Sequence, residues 1–160
     1  MKKEIDKSKG PGVYVPPPLL YVLTFVIAIV IQKKISLPDK LFHLIITKAA
    51  GVLFLIIAIF FLAKSLRQFF LTKNTVILIK PASSLQTSGI YGMTRNPMYV
   101  GLAILYLAIT CFIGNWWNII LFPLLLIIVQ EYIIKREEKY LQLEFGQEYE
   151  EYKTKVRRWL

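Results

Sequence analysis

An uncharged stretch of 19 residues, from Val13 to Ile31, does most to limit what this chain can become. A bilayer core about 30 Å thick takes roughly 20 apolar residues in a helix. Three more apolar segments follow, and they predict membrane-spanning helices over about 17–31, 43–65, 97–112 and 116–134. The prolines at 16, 17 and 18 suit the first turn of the first helix. Gly114-Asn115 alone joins the third and fourth helices, which forces an antiparallel hairpin, with Trp116 and Trp117 at headgroup level. Gly101 suits close helix approach and Pro123 predicts a kink. The expected fold is an all-α integral membrane bundle of about four transmembrane helices. It forms one domain over 1–160, with a mobile tail over 1–12 and helices over 135–160 as a C-terminal extension.

Charge supports this reading and excludes others. Hydrophobic residues make up 56% of the chain, and the net charge is +10. The basic residues flank apolar runs instead of forming one stripe, so nucleic-acid binding is not expected, while attraction to membrane lipids is. Lys2, Lys3, Lys7 and Lys9 precede the first helix, five bases lie between the second and third, and seven follow Ile134. That makes sixteen on one side against Lys33, Lys34, Lys40 and Lys48 on the other, which predicts cytoplasmic N- and C-termini. No small-x-small cleavage site follows the first apolar run, so it reads as an uncleaved span. One cysteine, Cys111, and one histidine, His43, rule out a Cys/His zinc site, and no metal is expected. Lys48 and His43 read as interfacial residues.

The stretch SLQTSGIYGMTRNPMYVG, Ser84 to Gly101, carries the chemistry. Ser88-Gly89 and Gly92 supply turn freedom and close backbone approach. Asn96-Pro97 reads as an N-cap and the N1 proline of a helix. That start leaves free N–H groups beside Arg95, a place for a carboxylate or phosphate. Upstream, Thr75 to Ile79 reads as a short extended or interfacial piece. Past Ile134, Glu137, Leu141 and Phe145 share one helix face, and Gly146 stops it. Tyr149, Tyr152, Val156 and Trp159 then form an apolar stripe, predicting an amphipathic helix through Trp159 with Tyr149 and Tyr152 as lid residues. Glu131 lies at membrane depth, either functional or paired with Lys135 one turn on.

The run L-x-T-x-G-I-Y-G-x-T-R-N-P-M-Y-x-G at Leu85 to Gly101 resembles the isoprenylcysteine carboxyl methyltransferase family and its phospholipid methyltransferase relatives. A second motif follows: Glu137-Glu138, Leu141, Phe145-Gly146, Tyr149 and Tyr152. The resemblance implies a membrane methyltransferase using S-adenosylmethionine on a lipid-like or apolar acceptor. It implies cofactor contacts at Ser83, Ser84, Leu85 and Gln86, at Gly89 and Tyr91, and at Asn96, Pro97, Met98 and Tyr99. In the phospholipid branch the acidic pair also holds the cofactor, which implicates Glu138. The prenylcysteine branch gives the first glutamate, Glu137, to the acceptor, with an arginine one turn earlier. Ile133 stands there instead, which counts against a prenylcysteine carboxylate. The residues present complement the cofactor's groups: the acidic pair its ammonium, Arg95 its carboxylate, and Tyr91 and Tyr99 its adenine. Arg95 and Glu137 are the expected catalytic pair. Carboxylate, phospholipid amine and small thiol acceptors stay open, and no general base stands out. Two other classes remain: a membrane reductase using NADPH and a noncatalytic membrane scaffold.

Overall fold

The computed structural model describes residues 11–72 and 84–160, which hold helices, turns and no strand. The helices are α1 (Pro17–Lys34), α2 (Ile45–Leu71), α3 (Pro97–Ile113), α4 (Trp116–Ile128), α5 (Lys135–Phe145) and α6 (Gln147–Lys155). Short 3-10 turns lie at Lys40–His43 and Gly89–Gly92. A π-helical stretch, Val129–Ile134, joins α4 to α5, giving one 30-residue rod from Trp116 to Phe145. Ser83, the Thr75–Ile79 run and residues 1–10 lie outside the described residues.

Three elements are long and apolar enough to cross a membrane: α1, α2 and the α4–α5 rod. The fourth expected span, α3, has 17 residues. At about 1.5 Å per residue it rises roughly 26 Å, just short of the hydrocarbon thickness. Pro97 starts it, and Gly114, in the left-handed region at φ +75°, ends it.

The α2–α3 pair is the most extensive contact in the fold. Two glycines permit it. A Cβ on Gly101 would lie 2.8 Å from Cγ of Leu62, and one on Gly51 would lie 3.0 Å from Cβ of Cys111. Backbones this close gain dispersion contacts, the main attraction between helices in lipid. α1 packs on α4, and Tyr21, Tyr99, Tyr106, Leu125, Val129 and Ile133 form the main buried cluster.

Lys48 Nζ donates to the carbonyl of Phe112 at 2.9 Å, at the negative end of α3. The indole N–H groups of Trp116 and Trp117 donate to the carbonyls of Pro38 (2.9 Å) and Ile35 (2.8 Å), tying the α1–α2 connection to the α3–α4 turn. His43 is exposed and lies 3.1 Å from Asp39. Glu131 pairs with Lys135 at 2.7 Å.

Two expectations are corrected. The tail does not run to residue 12 as free chain, since Pro11 is buried and Val13 enters the main cluster. The last helix stops at Lys155, and Val156 is extended at φ −124°, ψ 132°. Helical continuation would spend the next carbonyls and N–H groups on local bonds. Here the carbonyls of Arg157 and Arg158 accept from residues more than sixty positions away instead.

Candidate functional site

The two sequence motifs meet where the turn before α3 touches α5, α6 and the extended segment after it. Pro97 occupies the first turn of α3, as its fixed φ favours. Asn96 sits at the N-cap position, yet its side chain makes no cap bond. Its amide instead donates to the carbonyl of Arg158 at 2.9 Å. The expected side-chain N-cap is therefore corrected: a distant carbonyl takes the amide. Thr94 Oγ1 donates to that same carbonyl at 3.1 Å, and the Arg95 N–H donates to the carbonyl of Arg157 at 2.9 Å. The extended segment thus straps the turn in place.

Charge within this region is unevenly matched. The Glu138 carboxylate receives Arg158 through two bonds, Nε at 2.9 Å and a terminal nitrogen at 2.6 Å. Arg95 reaches it through one, at 2.8 Å. Glu138 and Arg95 retain only 13% and 11% side-chain exposure. Two guanidiniums therefore share one carboxylate, leaving a local surplus of one positive charge. The Glu138 hydrogen bond also raises the pKa of Arg158 above its ordinary value. Nε of Arg95 is buried with no partner among the described residues.

Glu137, the adjacent residue, is placed differently. It is half-buried, and Tyr99 donates its hydroxyl to it at 2.8 Å. Among the described residues no cation pairs with it. A desolvated carboxylate without a cation is costly. Beside a cluster with surplus positive charge, it forms an electrostatic pattern complementary to a ligand carrying both an ammonium and a carboxylate. The orphaned Nε of Arg95 fits the same ligand, because a buried donor without an acceptor carries an unmade bond.

Aromatic groups enclose the region. Tyr91 and Tyr99 are buried, and Tyr21 donates to the carbonyl of Tyr99 at 3.4 Å. Tyr152 donates to the carbonyl of Tyr91 at 2.6 Å. Burial pushes the Tyr91, Tyr149 and Tyr152 hydroxyls well above their ordinary pKa, so they remain donors across the physiological range. Tyr149 and Tyr152 are buried in the fold, which makes them part of the wall more than of a lid. Ahead of Tyr91 in the chain, Gln86 donates to Oγ of Ser84 at 2.9 Å, and Gln68 donates to Gln86 at 3.1 Å. Ser84, Leu85 and Met98 are half-buried. Gly89 adopts φ +61°, and a Cβ there would meet only Gln68 at 3.8 Å, so the requirement is conformational and not spatial.

Arg95, Tyr99, Glu137 and Glu138 are thus brought together from 38 to 43 residues apart. Arg158 and Thr94 were not singled out from the sequence. Arg158 read as one base among several at a helix end, and no local spacing ties it to Glu138.

A model of the Phospholipid methyltransferase family matches residues 46–148. The chain belongs to that family. The match runs from the start of α2 into α6, and holds the first motif and the second as far as Gly146. An uncharacterised protein of Haemophilus influenzae is 44% identical over 66 residues, 39% of this chain and the whole of that relative. The protein-S-isoprenylcysteine O-methyltransferase of Schizosaccharomyces pombe is 42% identical over 72 residues, 45% of this chain. That match spans only 30% of the yeast protein's length. No solved structure matches the chain. Family and helices together make this a multi-pass membrane protein of a methyltransferase family.

Proposed function

We propose that this chain is a membrane methyltransferase that binds S-adenosylmethionine at the junction of its two motifs and passes the methyl group to a lipid-like or apolar acceptor. The observation that carries the reading is Glu137, bonded to Tyr99 and paired with no cation among the described residues, beside the two-guanidinium cluster on Glu138.

Glu137 would face the cationic methionine end of the cofactor. The Nε of Arg95 and the free N–H groups at the start of α3, from Met98 and Tyr99, would take its carboxylate. Tyr91, the Ser84–Gln86 stretch, Gly89, Asn96 and Pro97 would line the remainder, with Ser83 adjoining. Glu138, by contrast, is committed to Arg95 and Arg158, so its role is to hold the guanidiniums more than to touch the cofactor.

Bound there, S-adenosylmethionine supplies a methyl group on a sulfonium whose charge vanishes on transfer. The protein's tasks are alignment and water exclusion. Buried aromatics and the strap serve both. The acceptor would enter from the bilayer, with the motifs and both termini on the cytoplasmic side, as the basic residues predict.

Titration of labelled S-adenosylmethionine into purified, detergent-solubilised protein tests this. Saturable binding that Glu137→Gln weakens is expected. Saturable binding of NADPH with none of the methyl donor would favour the reductase class. Binding of neither would leave a noncatalytic bundle.

A further inference from the structure

We propose that Arg158 is a positioning residue that keeps Arg95 available to the carboxylate of the methyl donor, an inference that rests on the reading of the site given above. A guanidinium meets a carboxylate best through two parallel bonds, Nε and a terminal nitrogen onto the two oxygens. Glu138 has room for one such pairing, and Arg158 occupies it, with Nε on Oε1 at 2.9 Å and Nη2 on Oε2 at 2.6 Å. Arg95 is left with a single bond, Nη2 onto Oε1 at 2.8 Å. Its Nε is therefore buried and unspent.

The remaining contacts of Arg95 hold the side chain but do not use that donor. Nη1 lies 3.5 Å from the carbonyl of Lys153, and the backbone N–H bonds the carbonyl of Arg157. Arg158 is itself anchored on both sides. Its carbonyl takes Thr94 and Asn96, and the indole of the next residue, Trp159, donates to Gln130 at 3.0 Å. The strap therefore presents its guanidinium to Glu138 from a fixed backbone.

Removal of Arg158 frees Oε2. The local surplus of positive charge goes with it, and Arg95 then turns to make the two-bond pair with Glu138, spending its Nε. The ligand's carboxylate loses its side-chain donor although Arg158 never touches it.

The experiment compares S-adenosylmethionine with its decarboxylated analogue, which keeps the sulfonium and an ammonium, by titration into the full chain in detergent. The native protein should prefer the carboxylate-bearing ligand by roughly 10- to 100-fold, the worth of one charge-assisted hydrogen bond. In Arg158→Ala that preference should fall by roughly 10-fold or more, to what the N–H groups of α3 supply, while affinity for the decarboxylated ligand stays unchanged. Arg158→Lys keeps the charge but cannot make two parallel bonds, so it should lose most of the preference, and it carries the test if the alanine variant fails to fold. Equal weakening of both ligands, or an undiminished preference, overturns the proposal. Failure of the native protein to bind either ligand overturns the underlying reading of the site.

Discussion

The two adjacent glutamates should respond to the same substitution in opposite ways. Glu137→Gln keeps the shape of the side chain, and the new amide oxygen can still accept from Tyr99, which is 2.8 Å away in the native protein. It removes a half-buried charge that no described cation balances, so thermal stability without ligand should hold or rise. Glu138→Gln does the reverse. It strips the counter-ion from Arg95 and Arg158, which contact it at 2.8 and 2.6 Å. Breaking a buried ion pair by removing one partner costs about 3–5 kcal/mol. Arg158 retains 32% side-chain exposure, so solvent screening lowers this to roughly 2–3 kcal/mol. Ligand binding should order the variants differently. Glu137→Gln should lose about 10- to 100-fold in affinity for S-adenosylmethionine, as expected for a charge-assisted bond. Thermal unfolding in detergent with and without the ligand reads both quantities. A Glu137→Gln protein less stable than Glu138→Gln would refute the assignment of the paired and the unpaired carboxylate.

Other expectations follow from the packing and the strap. Gly101→Leu should separate α2 from α3, because even a Cβ would lie 2.8 Å from Leu62. Overpacking of this kind costs about 1–3 kcal/mol or more, visible as a lower unfolding temperature in detergent, and an unchanged temperature would contradict the close approach. Asn96→Ala removes the amide bond to the Arg158 carbonyl and should cost about 1 kcal/mol, with faster protease cleavage near Arg157 as the readout. Tyr152 has a raised pKa through burial, so its contribution to stability is full below the unfolded-state value near 10 and is lost as pH rises above it. Between pH 10 and 12 the native protein should therefore lose stability more steeply than Tyr152→Phe, by up to about 1.4 kcal/mol per pH unit. Parallel curves would argue against that burial.

The helical spans were legible because their cause is local. Nineteen uncharged residues from Val13 to Ile31 leave few options but a membrane helix, and Gly114-Asn115 leaves no room for anything but a hairpin. The paired motifs were legible for a different reason: their residue types at fixed spacing resemble the signature of a family. What periodicity misread was the end of the chain. Tyr149, Tyr152, Val156 and Trp159 keep helical spacing, yet the helix ends at Lys155. The competing carbonyl acceptors at Arg157 and Arg158 serve Thr94, Arg95 and Asn96, and no window of local sequence contains both partners.

Sequence alone therefore determined the membrane helices, the short hairpin and the chemical inventory of the site, since apolar run length and turn residues act over a few positions. Only tertiary structure decided which carboxylate pairs with the arginines and which meets a tyrosine and no cation among the described residues. Glu137 and Glu138 are identical in type and adjacent in order, but successive residues on a helix point about 100° apart. One therefore meets Tyr99, and the other meets the two arginines.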